Sequence, residues 1–294
     1  MHHRLLPDGR RLHLGHGPID LIVQPEGPEA AVAEAYRRAV ARFDGLLEEL
    51  VTELPLLRQP VQRGKCPLRG PVARRMWQAA ARFAPAFVTP MAGVAGAVAE
   101  AVLRAMTGVP GLTRASVNNG GDIALFLAPG AMAWRLGVVV DPLNPASPGV
   151  LEIGAAHACR GVATSGAKGR SHSLGIADSV TVLATDAPTA DVAATLLANS
   201  VDLPGHPSII REPAQELSPD SDLGARLVTV SVGTLTDAEV AQALDAGEDM
   251  ADAMRAAGHI LGAVLVLQGR VRLVGRVPMA IENSGISNGK LLNV

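Results

Sequence analysis

Aromatic side chains are nearly missing from this chain. They make up 2% of its 294 residues, against 48% apolar residues overall. A sizeable core is therefore expected, built from Ala, Val and Leu. Charge of one sign is also lacking. The formal net charge is −2, with no Lys/Arg-rich block and no basic stripe interleaved with aromatics, which argues against nucleic-acid binding. The two cysteines, Cys66 and Cys159, form no CxxC unit and predict no disulfide framework, as expected in a reducing cytoplasm. Long hydrophobic runs are missing too. The most apolar late stretch, Ile260 to Gln268, falls well short of the roughly 20 residues of a membrane helix. The opening MHHRLLPDGRRLHLGHG has no apolar core of a signal peptide. The expectation is a cytoplasmic protein with neither a membrane nor a nucleic-acid partner.

Periodicity predicts a mixture of strands and separate helices. Residues 11–24 read as a strand pair around glycines. From Pro28 to Leu54, apolar residues such as Ala31, Ala35, Val40, Phe43, Leu46 and Leu50 recur at helical spacing. A Pro/Gly/Arg-rich connector, LPLLRQPVQRGKCPLRG, leads to a second helix over Pro71–Phe83, with proline at its first position. A loop entering a third helix follows over 89–106. Strands are expected at 114–118, 123–128, 134–141, 150–153, 161–164, 179–185 and 227–233. Helices are expected at 188–201 and 237–257, and a closing strand or hairpin at 260–277. No repeat or low-complexity tract interrupts the pattern. It predicts an α+β fold with a mostly antiparallel sheet, in one unit spanning 1–294 with a motif core at about 89–201.

Four segments carry chemistry of their own. In SVNNGGDIAL, Asn118, Asn119, Gly120, Gly121 and Asp122 sit between two strand-like runs. The plain reading is a hairpin turn; the sharper one is a backbone that a flat ring or phosphate can approach closely. In GVATSGAKGRSHS, a strand ends in Thr164-Ser165-Gly166, followed by Lys168, Arg170 and His172. That is either a polar surface loop or a phosphate cradle. Asp191 and Thr195 lie one turn apart on the 188–201 helix, whose start is marked by Asp186 and Pro188. They either offer two hard oxygens to Mg²⁺, or are a solvated acid and a hydroxyl bonded back to its own helix. Met91-Ala92-Gly93-Val94-Ala95-Gly96-Ala97 has no side-chain chemistry and is rich in small residues. It permits tight helix packing, or a ligand against helix amides.

In order, AGVAGA (92–97), NNGGD (118–122), WRLGVVVDP (134–142), ATSG (163–166), SVTV (179–182) and ADVAAT (190–195) resemble the ApbE superfamily, the FAD:protein FMN transferases. The six pieces span about 105 residues, and the likeness covers roughly Thr89 to Val201. It is most like a leaderless branch with a short loop after Thr-Ser-Gly. The resemblance implies the ApbE-like fold and Mg²⁺-dependent handling of FAD, as substrate or ligand. It implies metal ligation by Asp191, Thr195 and the Ala95 carbonyl. It places Asn119, Gly120, Gly121 and Asp122 beside the flavin, and Thr164, Ser165 and Gly166 near the pyrophosphate. For FMN transfer or FAD pyrophosphate cleavage, His172 is the candidate base, with Arg170 and Lys168 stabilising charge. Expected partners are a flavin or related nucleotide and an acceptor protein, with a homodimer left open. Two departures favour an alternative: a non-catalytic flavin-, nucleotide- or partner-binding protein that keeps the fold. The family's lysine in GGIAKG falls on Gly96, and only RSHSLGIAD (170–178) separates ATSG-AKG from SVTV.

Overall fold

The computed structural model describes residues 1–138, 149–169 and 171–280, together with the backbone of 292–293. Arg170 and the end of the Trp-containing strand, 139–142, lie outside the described residues.

The chain opens with three antiparallel strands, β1 (His2–Leu5), β2 (Leu12–His16) and β3 (Ile19–Glu26). Alternation in β3 buries Ile19, Leu21 and Val23. Each such side chain contributes roughly 1.5–3 kcal/mol on burial. The helix expected over 28–54 is instead three: α1 (Glu29–Phe43), α2 (Leu46–Val51) and α3 (Leu54–Leu57). The break falls at Asp44, which is extended, and Gly45, whose φ of 73° no continuing α-helix adopts. After the connector come α4 (Pro71–Ala81), a 3-10 turn (Pro90–Gly93) and α5 (Val94–Thr107).

Strands β4 (Arg114–Asn119) and β5 (Asp122–Leu127) form a hairpin closed by Gly120 and Gly121. Both glycines have positive φ, 67° and 116°, a requirement that excludes most side chains at a two-residue turn. Then follow β6 (Trp134–Gly137), β7 (Val150–Ile153), β8 (Gly161–Ser165), β9 (Ser179–Ala184) and α6 (Ala187–Ser200). A second hairpin, β10 (Ile209–Pro213) and β11 (Leu227–Val232), contains the short α7 (Ala214–Leu217). Helix α8 (Asp237–Ala256), closed at its N-terminus by a Thr236/Glu239 capping box, leads to β12 (Gly262–Leu267) and β13 (Arg270–Gly275). The short strands β14 (Met279–Ala280) and β15 (Leu292–Asn293) complete the order.

Nine strands form one antiparallel sheet in the order β1-β2-β3-β4-β5-β8-β9-β12-β13. A smaller sheet, β14-β7-β6-β15, is antiparallel except where β15 pairs parallel with β6. The α+β expectation therefore holds. Both faces of the large sheet are covered at its centre. On β5, Ala124 and Phe126 pack toward the helices, while Ile123, Leu125 and Leu127 pack with Trp134, Leu136 and Leu151 of the small sheet. Helix α6 lies in the middle of the helical layer, touching α4, α5, α8, β8 and β9. Ten of its fourteen residues are buried, as expected of a helix enclosed by other elements. Of its polar residues Thr189 is buried, while Asp191, Thr195, Asn199 and Ser200 stay partly exposed, and Asp191, Thr195 and Asn199 line the side left open.

Candidate ligand site

The start of α6 is fixed by its own sequence. Asp186 accepts the Thr189 amide at 2.9 Å, Pro188 follows it into the first turn, and Arg75 pairs with Asp186 at 2.7 Å. The start of α5 is fixed differently. Its N-cap, Gly93, supplies no side-chain oxygen. The missing acceptor comes from α6: the Gly96 amide donates to Asp191 Oδ2 at 2.8 Å, with a further contribution from the Ala95 amide. The helix ends can meet because neither Gly93 nor Gly96 has a side chain. A Cβ built on Gly96 would lie 2.4 Å from the Ala187 carbonyl oxygen. The small residues of 91–97 thus serve tight packing. Asp191 is a cap on a neighbouring helix, not a solvated first-turn acid.

A cleft of about 370 Å³ opens beside this junction. Ala95, Asp122, Ser165, Asp191, Thr195 and His172 line it together, although they lie as far apart as 95 and 195 in the chain. Asp122 begins β5, and the Thr164 amide at 3.3 Å holds its Oδ1. Burial, and then the negative charge of Asp191, push the Asp122 carboxyl well above the usual carboxylate range, against the pull of the Thr164 amide. Burial pushes Asp191 up to about 7, against the pull of the Gly96 and Ala95 amides. The charge of Asp191 thus opposes ionisation of Asp122, an opposition that a bound cation would relieve.

The remaining sequence candidates divide. Asn119 donates from Nδ2 to the Ala95 carbonyl at 3.2 Å, and Asn118 Oδ1 accepts the Gly121 amide at 2.9 Å. The NNGGD turn therefore braces the α5 start and aims Asp122. Of this segment only Asp122 lines the cleft; Asn119, Gly120 and Gly121 do not. Thr164 contributes its amide, while its hydroxyl pairs with Thr181 at 2.8 Å. Gly166 is buried against the Asp178 backbone. Lys168 is exposed and pairs with Asp178 at 3.4 Å, away from the lining. His172 lines the cleft at its solvent edge.

One wall was not foreseen from sequence. Phe87 and Thr89, before α5, meet Ser218, Ser221, Asp222 and Leu223 from the β10–β11 hairpin. The Thr89 hydroxyl donates to Asp222 Oδ2, and the Arg226 guanidinium lies 3.4 Å from the Phe87 ring centre. The available signal was the polar run SPDSD (218–222) and the threonine before Pro90, both ordinary loop features.

Among the described residues, no group of three or more His, Cys, Asp or Glu side chains is placed to hold a metal. Zinc-type sites with four protein ligands do not fit such an arrangement. Two carboxylates, a hydroxyl and a main-chain carbonyl do fit magnesium, which takes one or two carboxylates and fills its octahedron with water and phosphate oxygens. No helix among the described residues is long and apolar enough to cross a membrane.

The chain is 37% identical over 175 residues to a UPF0280 protein of Methanothermobacter thermautotrophicus, covering 56% of this chain and 61% of that one. It is 36% identical over 158 residues to a UPF0280 protein of Methanothrix thermoacetophila, covering 53% and 63%. The chain thus spans about three fifths of the length of these two relatives. Similar solved structures include the apo flavinyl transferase ApbE of Pseudomonas stutzeri, 12% identical with a TM-score of 0.45, covering 90% of this chain and 92% of that one. The ApbE protein of Thermotoga maritima is also 12% identical, with a TM-score of 0.48 and coverage of 90% and 96%. A family model described as AbpE bacteria matches residues 3–273, well beyond the motif core. The chain belongs to this ApbE-like family.

Proposed function

We propose that this protein binds a flavin dinucleotide, or a related pyrophosphate-bearing nucleotide, with Mg²⁺, in the cleft between α5, α6, β5 and β8. The observation that carries the reading is that Asp122 and Asp191 line one cleft together with Ser165 and Thr195. Asp191, Thr195 and the Ala95 carbonyl are the proposed metal ligands, and Asp122, which lines the same cleft, would join them. Bound there, the metal would neutralise pyrophosphate charge. Ser165 and the adjacent turn would hold the phosphate oxygens, and the Gly96 and Asn119 hydrogen bonds would keep Asp191 and Ala95 in place.

If chemistry follows binding, it is phosphoanhydride cleavage. An acceptor hydroxyl or water oxygen bonds to the FMN phosphorus, the bond to the bridging oxygen breaks, and AMP leaves with that oxygen. The nucleophile's proton passes to His172, which lines the cleft. Two free cysteines suit a cytoplasmic setting. A second reading, binding without transfer, is favoured by Gly96: the family's lysine position has no room for a side chain. The test is to purify the protein, record a flavin absorption spectrum, then incubate with FAD and Mg²⁺ and assay AMP. Flavin binding that requires Mg²⁺ supports the site, and AMP release selects the enzymatic reading. Binding of neither FAD nor inorganic pyrophosphate with Mg²⁺ present rejects both.

A further inference from the structure

The unforeseen wall of the cleft has a composition unlike the rest. The chain has only four Phe, two Trp and one Tyr. Phe43 and Phe83 are spent in the core and Trp134 in the small-sheet cluster. Phe87 instead lines the cleft, with Arg226 stacked on its ring. Next to it, Thr89 is 2% exposed and donates its hydroxyl to Asp222 Oδ2. That bond orients the carboxylate and leaves Oδ1 without a protein donor among the described residues. An acceptor fixed in this way beside an aromatic surface suits a flat heterocycle with an N–H on its edge. Thr89 is followed by the 3-10 turn Pro90–Gly93 and then Ala95. Four residues of 3-10 helix rise roughly 8 Å, so Phe87 and Thr89 enter the cleft ahead of the α5 start that carries Ala95.

We infer that Phe87 and Asp222 form a ring subsite, in which Phe87 stacks on the ligand's heterocycle and Asp222 Oδ1 accepts a hydrogen bond from a ring N–H. The inference rests on the phosphate-and-metal reading of the cleft and adds its specificity. The shared chemistry is an N–H donor, which the flavin ring and the adenine amino group both offer. The β10–β11 hairpin supplies Asp222, so a segment outside the motif core takes part in ring recognition.

The test uses the full chain and calorimetry with Mg²⁺ and, separately, inorganic pyrophosphate, FMN, ADP and FAD. Asp222→Asn keeps an acceptor for Thr89 while placing an N–H donor in the site, and Phe87→Leu keeps apolar bulk without the ring. Each variant should weaken FAD binding about tenfold or more and leave pyrophosphate binding unchanged. FMN weakened and ADP unaffected identifies the flavin ring as occupant; the reverse identifies adenine. FAD affinity unchanged in both variants overturns the subsite alone. Pyrophosphate weakened as much as FAD also overturns it, because the residues would then be acting on the whole cleft. Wild-type protein that binds neither pyrophosphate nor FAD with Mg²⁺ overturns the underlying reading and the subsite with it.

Discussion

The Gly96 amide donates to the Asp191 carboxylate at 2.8 Å, and a Cβ on the same Gly96 would lie 2.4 Å from the Ala187 carbonyl oxygen. One residue therefore explains two things: the α5 and α6 N-termini are in contact, and Asp191 is held by a helix to which it does not belong. Replacing Gly96 with Ala sets two effects against each other. Helix propensity favours Ala by about 1 kcal/mol, and overpacking against a backbone carbonyl costs about 1–3 kcal/mol or more. We expect the clash to prevail, so that Gly96→Ala lowers Tm by at least a few degrees in a thermal melt. A rise in Tm would show that the helices are not in contact.

Asp191→Asn separates capping from charge. The amide oxygen can still accept from Gly96, while the repulsion between Asp122 and Asp191 disappears. Without metal the variant should melt at or above the wild-type temperature. Adding Mg²⁺ with pyrophosphate should raise the wild-type Tm by mass action and leave the variant's unchanged. A metal-free variant that is several degrees less stable would mean the carboxylate is mainly structural.

Cys159 is 2% exposed, and burial pushes its thiol from 9.0 up to about 12; Cys66 is partly exposed. A thiol reagent at pH 8 should modify one cysteine per folded chain and two after denaturation. The linkage has a definite sign. The folded state keeps the Cys159 proton to about 12 while the unfolded state releases it near 9.0. This group's contribution to stability is therefore constant below about pH 9 and falls as pH rises from there toward 12. Cys159→Ala should lessen the loss of stability in that window. A slope unchanged by the substitution would mean the thiol is not protected.

FMN transfer to a standard acceptor domain should be weak, even where flavin binds. The lysine of the transferases has no counterpart at Gly96, and Lys168 pairs with Asp178. Losing one charge-stabilising group typically costs on the order of a hundredfold in rate. Covalent attachment of FMN at the rate of complete family members would contradict this, and His172 would be the residue to replace next.

Local features were legible in the sequence. Asp186 and Pro188 marked the start of α6, and the Gly120-Gly121 pair marked the β4–β5 hairpin. Apolar spacing located α4, α5 and α8 to within a few residues. The break at Gly45 was missed because the apolar spacing runs on through Leu46 and Leu50, and periodicity does not register a single left-handed residue. Strand β1 was missed because its residues are exposed and show no alternation. The site was legible in part. Motif order grouped Asp122, Ser165, Asp191 and Thr195, which share one cleft. The Gly96–Asp191 bond joins residues 95 positions apart, and no local pattern encodes it. The Thr89–Asp222 contact spans 133 positions and comes from a hairpin outside the motif core, so neither periodicity nor motif spacing pointed to it.

Asp191 is proposed to help hold a divalent cation on which pyrophosphate binding depends. Calorimetric titration of FAD into wild-type and Asp191→Ala protein, with Mg²⁺ and then with EDTA, tests this. Removing the carboxylate takes away one of the two negative charges proposed to attract the cation and leaves Asp122, a hydroxyl and a carbonyl. Wild-type binding should require Mg²⁺, and the variant, folded by circular dichroism, should show no Mg²⁺-dependent binding. Equal FAD affinity in both proteins, or wild-type affinity indifferent to EDTA, would contradict the account.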